Sequence, residues 1–186
     1  MTPPRPVLYL VRALPALPAA RLAGRFEVRG GGAHPAPRDR LLEEARDAEV
    51  LVTSYLDRVD AALLDGLPRL RHLASYGVGV NHLDLPACRR RGLLVTNTPG
   101  VVTEATAEHA MALLLAAARR VAEGDRAIRR GGWTELSPSY LLGTGLEGKR
   151  LGLVGFGRIG QAVARRAAAF GMAIDYASPR EAPFPG

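Results

Sequence analysis

The chain has one cysteine, Cys88, one tryptophan, Trp133, and aromatic residues at only 5% of its 186 positions. A single cysteine excludes an internal disulfide framework and offers no partner for a thiolate metal cluster. No histidine or lysine adjoins Cys88 to depress its pKa, so it reads as a small residue packed in a helix. No apolar run approaches the roughly 18 residues that would suggest a membrane span. The apolar stretch at 7–11 is too short and too β-branched for a signal sequence, which makes the cytoplasm the expected location.

The scarcity of aromatics also bears on the positive charge. A formal net charge of +7 invites a nucleic-acid reading, but the excess is dispersed. The pairs Arg119-Arg120, Arg129-Arg130 and Arg165-Arg166 and the triplet Arg89-Arg90-Arg91 fall within or at the ends of expected helices, without interleaved rings on which bases could stack. Cations there complement helix C-termini. We therefore expect neither a nucleic-acid nor a membrane partner.

What is abundant is alternation. Short apolar runs at 7–11, 26–28, 49–53, 72–75 and 93–96 are separated by helix-like stretches at 18–23, 38–47, 59–64 and 85–91. This is the pattern of a parallel sheet covered by helices, an α/β fold. Asp39 and Asp60 stand near helix starts as caps or first-turn acids. The segment 30–37, with three glycines and two prolines, reads as a loop after the second strand. From 102 to about 122 the pattern predicts one long helix, capped by Thr103, apolar almost all round and hence largely buried. A second helical stretch should end at Gly131-Gly132.

The segment with the most specific chemistry is LGLVGFGRIGQAVA at 151–164. A glycine triplet of this spacing binds dinucleotides when it leaves a strand and opens a helix. Gly155 permits the tight turn, Gly157 lets a diphosphate approach the backbone, and Gly160 lets the helix pack on the strand. The amides of Arg158 and Ile159 would point at the phosphates. The helix is expected to bury Ile159, Val163, Ala167 and Phe170 and stop at Gly171, with a second strand at 172–177. Coenzyme choice is read after that strand, where an acid would hold the ribose of NAD. Eighteen residues past Gly160 stands Ser178, followed by Pro179 and Arg180. A hydroxyl beside an arginine suits the 2′-phosphate of NADP, so NADP is the preferred cofactor and NAD the other. Asp175 lies too early, within the strand.

Four motifs in this order resemble the D-isomer-specific 2-hydroxyacid dehydrogenases: SYGVGVNHLD at 75–84, VTNTPG at 95–100, TAE at 106–108 and LEGKRLGLVGFGRIG at 146–160. The resemblance implies a flavodoxin-like substrate domain over 1–98 and, over 99–186, the start of a Rossmann coenzyme domain containing its first βαβ unit. It further implies that the amides of Val78 and Gly79 hold a substrate carboxylate and that 97–99 belong to an interdomain hinge. Thr106 would face the nicotinamide ribose, a homodimer would form through the long helix, and the substrate would be a small 2-oxo acid such as glyoxylate or hydroxypyruvate. His109 and His82 read as surface and packing residues. Trp133 matches one of two tryptophans common in glyoxylate and hydroxypyruvate reductases, with Leu136 where the second is expected.

The arginine, glutamate and histidine of the family's acid-base chemistry have no counterpart in these 186 residues. The expectation is a chain inactive by itself, with no catalytic residue assigned. The alternatives are a nucleotide-sensing interaction module, like the corepressors built on this fold, or an inactive truncated remnant.

Overall fold

The computed structural model describes residues 4–13, 19–133 and 137–180. It divides into two compact units, Met1–Pro99 and Gly100–Gly186.

In the first unit five strands form one parallel sheet: β1 (Val7–Leu10), β2 (Glu27–Gly30), β3 (Val50–Ser54), β4 (His72–Tyr76) and β5 (Leu94–Thr96), in the order β2-β1-β3-β4-β5. This is the flavodoxin-like order, with the chain reversing direction across the sheet between β1 and β3. β1 is buried along its whole length, as an inner strand covered on both faces must be, whereas β2 is edged by Glu27 and Arg29. Register runs Leu8↔Val50 and Leu51↔Leu73 through the centre.

The crossovers are α1 (Ala19–Ala23), α2 (Arg38–Glu44), α3 (Ala61–Asp65) and α4 (Leu85–Arg90). Asp60 caps α3 by accepting from the Leu63 amide, and Asp84 caps α4 in the same way through Ala87. Asp39 lies in the first turn of α2. The core beneath them contains Leu51, Leu64, Leu67, Leu73 and Cys88. Burial pushes the Cys88 thiol pKa up, the opposite of activation.

The second unit contains α5 (Thr103–Ala118), α6 (Val121–Arg129), β6 (Arg150–Val154), α7 (Arg158–Ala169) and β7 (Ala173–Ala177). β6 and β7 pair in parallel with Leu151 opposite Ile174, and α7 crosses between them. Ala107 and Met111 of α5 pack against Ala162, Val163 and Ala167 of α7. No described helix is long and apolar enough to cross a membrane.

Four expectations for this unit need correction. The long helix breaks after Ala118, because Arg120 adopts a left-handed conformation at φ 53° and its guanidinium is held by Glu123. The carbonyl freed at Ala118 is taken by the Thr144 amide at 2.7 Å. Second, Thr103 is the first helical residue, while Val102 occupies the cap position without a side-chain bond. Third, α5 is not largely buried: only Ala107 and Met111 are, and Leu113 is 58% exposed, because the apolar arc is wider than the face α7 covers. Fourth, Ile159 and Phe170 are 39% and 44% exposed, since they stand at the two ends of α7, whereas the expected Val163 and Ala167 are buried with Ala162 and Ala164. Leu136 lies outside the described residues, as do 181–186 and the first residue of the helix expected at 18–23.

Candidate functional site

Each unit places one set of the sequence-derived residues at the carboxyl ends of its strands. In the first, β4 ends at Tyr76 and the chain turns through Gly77, Val78 and Gly79. Both sides of this turn are tied down. The Thr98 amide donates to the Gly77 carbonyl at 3.0 Å, and the Asn97 side-chain amide donates to the Val78 carbonyl at 2.8 Å. Below it, buried Ser75 shares a hydrogen bond with His82 Nε2 at 3.2 Å, and the His82 carbonyl accepts from Val59. The amides of Val78 and Gly79 donate to nothing among the described residues. A Cβ on Gly79 would meet no atom within 4 Å, so the approach to these amides is open. Two adjacent unpaired amides at a fixed turn are a small anion cradle.

His82 is half-buried, and burial lowers its pKa against the opposing charge of Asp57. It braces the turn rather than facing it. Asp57 accepts from Arg12 Nε at 2.6 Å and from both the amide and hydroxyl of Ser54. The sequence reading placed Asn97 in a hinge and His82 among packing residues, without the bonds by which they brace the turn, and it did not name Asp57.

The second set lies where β6 meets α7. Gly155 has φ +96°, a conformation that favours glycine, and its amide donates to the Ala177 carbonyl at 2.8 Å. That bond sets the glycine turn beside the end of β7. Phe156 is buried and stacks on Tyr176 with ring centroids 4.0 Å apart. Gln161 Nε2 closes the loop by donating to the Phe156 carbonyl.

The three glycines differ in the way a dinucleotide site requires. A Cβ on Gly160 would collide with the Gly155 carbonyl oxygen, so close passage of helix and turn demands glycine there. A Cβ on Gly157 would meet no described atom within 4 Å, so nothing among the described residues demands glycine at that position. Its φ of −76° is open to any residue. Glycine at Gly157 keeps clear a space that a side chain would fill, at the N-terminus of α7. The first helical hydrogen bond runs from Gln161 to Gly157, which leaves the amides of Arg158, Ile159 and Gly160 without helical partners. These residues fit a dinucleotide's diphosphate.

Ser178 follows β7 directly, and its hydroxyl accepts from the Arg180 amide at 3.4 Å, with the Arg180 side chain exposed. Asp175 is taken by Arg150 at 2.9 Å on the strand pair. The structure thus gathers Gly155, Gly157, Arg158, Ile159, Gly160 and Ser178 into one region. Thr106 and His109 lie apart from it in sequence, exposed on α5. Among the clustered arginines, Arg166 bonds Glu104 and Glu108, Arg165 pairs with Glu104, Arg129 with Asp125 and Arg120 with Glu123.

Residues 13–180 match the family model described as D-isomer specific 2-hydroxyacid dehydrogenase, catalytic domain. The chain is 45% identical over 179 residues to a glyoxylate reductase of Pyrococcus furiosus, covering 94% of this chain and 53% of that protein. Among solved structures, the TT0316 protein of Thermus thermophilus superposes with a TM-score of 0.89 at 47% identity, over 96% of this chain and 58% of that one. D-lactate dehydrogenase of Aquifex aeolicus, solved with NAD and lactic acid, gives a TM-score of 0.79 at 26% identity, over 95% of this chain and 52% of that one. The chain spans about half the length of the curated relatives it matches. With its motifs in family order and a family match over most of its length, the chain belongs to the D-isomer-specific 2-hydroxyacid dehydrogenases.

Proposed function

We propose that this chain carries the carboxylate-binding and diphosphate-binding elements of a nicotinamide-dependent reductase of small 2-oxo acids, with glyoxylate or hydroxypyruvate as substrate. The observation that carries the reading is the open space at Gly157 in front of the α7 amides that have no partner among the described residues. On this reading Met1–Pro99 is the substrate domain and Gly100–Gly186 begins the coenzyme domain.

In this scheme the amides of Arg158 and Ile159 hold the diphosphate, and the helix N-terminus adds a favourable partial charge. Ser178 and Arg180 meet the adenosine ribose, and with Ser178 where an acid would hold the ribose of NAD the site prefers the 2′-phosphate of NADP. Thr106 serves the nicotinamide ribose. Val78 and Gly79 hold the substrate carboxylate through two amides. When bound, the coenzyme supplies the hydride that converts the 2-oxo carbon to a 2-hydroxy carbon. The acid-base step is assigned to no residue of this chain. The exposed apolar face of α5, with Leu113 among its residues, favours association with a second copy.

Titration of NADPH and NADH into the purified chain, followed by coenzyme fluorescence, tests the reading. Saturable binding of NADPH, tighter than that of NADH, is expected. Failure of both coenzymes to bind would overturn it.

A further inference from the structure

The carboxyl ends of β1 and β3, where the chain reverses direction across the first sheet, border a cavity that neither candidate binding element uses. Open α/β sheets bind ligands in the crevice outside their strand ends at such a reversal. This cavity measures about 220 Å³ and is lined by Arg12, Arg38, Thr53, Asp57 and Arg58 together with apolar residues. Val78 and Gly79 are not among its walls.

Thr53 marks it as a built site. Its residue is 1% exposed, yet its Oγ1 has no hydrogen-bond partner among the described residues. A buried hydroxyl left unpaired carries a net desolvation cost, which vanishes if a ligand atom bonds it. The next polar groups are cationic. Arg12 is paired with Asp57 and Arg38 with Asp60, while Arg58 forms no close ion pair or hydrogen bond among the described residues, its charge acting at longer range on the Asp60 carboxylate that Arg38 already holds. With Arg12 and Arg38 each matched by a carboxylate, Arg58 leaves one positive charge in excess at the lining. The remaining walls include Val11, Ala36, Leu41 and Leu63, which present hydrocarbon. Guanidinium forks match carboxylates, and an apolar wall matches a short chain. The volume lies below the roughly 300–1,000 Å³ of drug-sized sites and suits a small metabolite.

We propose that this crevice is a second, separate binding site of the first unit, taking a small organic carboxylate whose head meets Arg58 and whose short apolar body lies over Leu41 and Leu63, with an oxygen reaching Thr53 Oγ1. The site stands on the first unit alone and does not depend on coenzyme binding. It also gives a use to the loop at 30–37, whose Pro35 and Ala36 line the cavity.

The test is calorimetric titration of the 186-residue chain with butyrate at constant ionic strength, repeated with inorganic phosphate. The Thr53→Val and Arg58→Ala variants are titrated alongside, with thermal unfolding of each. Butyrate should bind saturably at one site, more tightly than phosphate. Thr53→Val should weaken it about tenfold while unfolding at or above the parent's temperature, since an isosteric change removes an unpaired hydroxyl. Arg58→Ala, an exposed change, should weaken it severalfold without loss of stability. Three results would overturn the proposal: no saturable heat with butyrate, phosphate binding as tightly as butyrate, or butyrate binding unchanged in both variants. The last would place butyrate elsewhere, for example on the Val78 and Gly79 amides.

Discussion

The Asn97 side-chain amide donates to the Val78 carbonyl at 2.8 Å, tying the end of β5 to the turn whose amides are the carboxylate cradle. One strand end thereby fixes the anion-binding backbone of its neighbour. Replacing Asn97 by Leu removes that donor and leaves the main chain intact. Hydrogen exchange at the Thr98 amide, which donates to the Gly77 carbonyl of the same turn, should then accelerate about fivefold, the equivalent of one ordinary hydrogen bond of about 1 kcal/mol. Unchanged exchange would show that the turn holds itself.

Gly160 and Gly157 should respond oppositely to alanine. The Gly160 methyl would strike the Gly155 carbonyl, so Gly160→Ala should destabilise the second unit by roughly 1–3 kcal/mol in urea unfolding. Gly157→Ala should leave stability within about 0.5 kcal/mol of the parent, because no protein atom meets the new methyl.

Ser178→Asp puts a carboxylate beside the end of β7. On the proposed reading it repels a 2′-phosphate and accepts from a ribose hydroxyl, so the NADPH to NADH affinity ratio should fall at least tenfold. Paired titrations with the two coenzymes measure it, and an unchanged ratio would remove Ser178 from the site.

Burial holds the imidazoles of His72 and His82 below their usual pKa of 6.5, so folding favours their neutral forms. Above the unfolded value both states are neutral and the stability contribution is complete. As pH falls through 6.5 towards the folded pKa values, the unfolded chain takes up protons first and stability declines. Denaturation at about pH 7.5 and about pH 5.5 should show this loss, and the double variant His72→Gln, His82→Gln should reduce it.

The alternation of strands and helices was readable because inner strands such as β1 are unbroken apolar runs. The glycine turn was readable because its three positions have fixed spacing, and each glycine has its own physical reason. The braces were not readable. Asn97 bonds a residue 19 positions away and Arg12 one 45 positions away, and nothing local marks either partner. The break at Arg120 was hidden for a related reason. Its neighbours all favour helix, and the left-handed residue is held by Glu123 and by the path of the chain at Thr144. The exposure of Ile159 and Phe170 depends on where packing ends, which periodicity does not encode.

The central claim is that the space kept clear at Gly157 receives a dinucleotide's diphosphate. Calorimetric titration of NADPH and NADH into the parent and into Gly157→Val tests it most directly, because a Cβ at that position meets no described atom within 4 Å. The account predicts saturable binding to the parent and at least hundredfold weaker binding to a variant of equal thermal stability. Equal affinity of the two proteins, or no heat from either coenzyme with the folded parent, would contradict it.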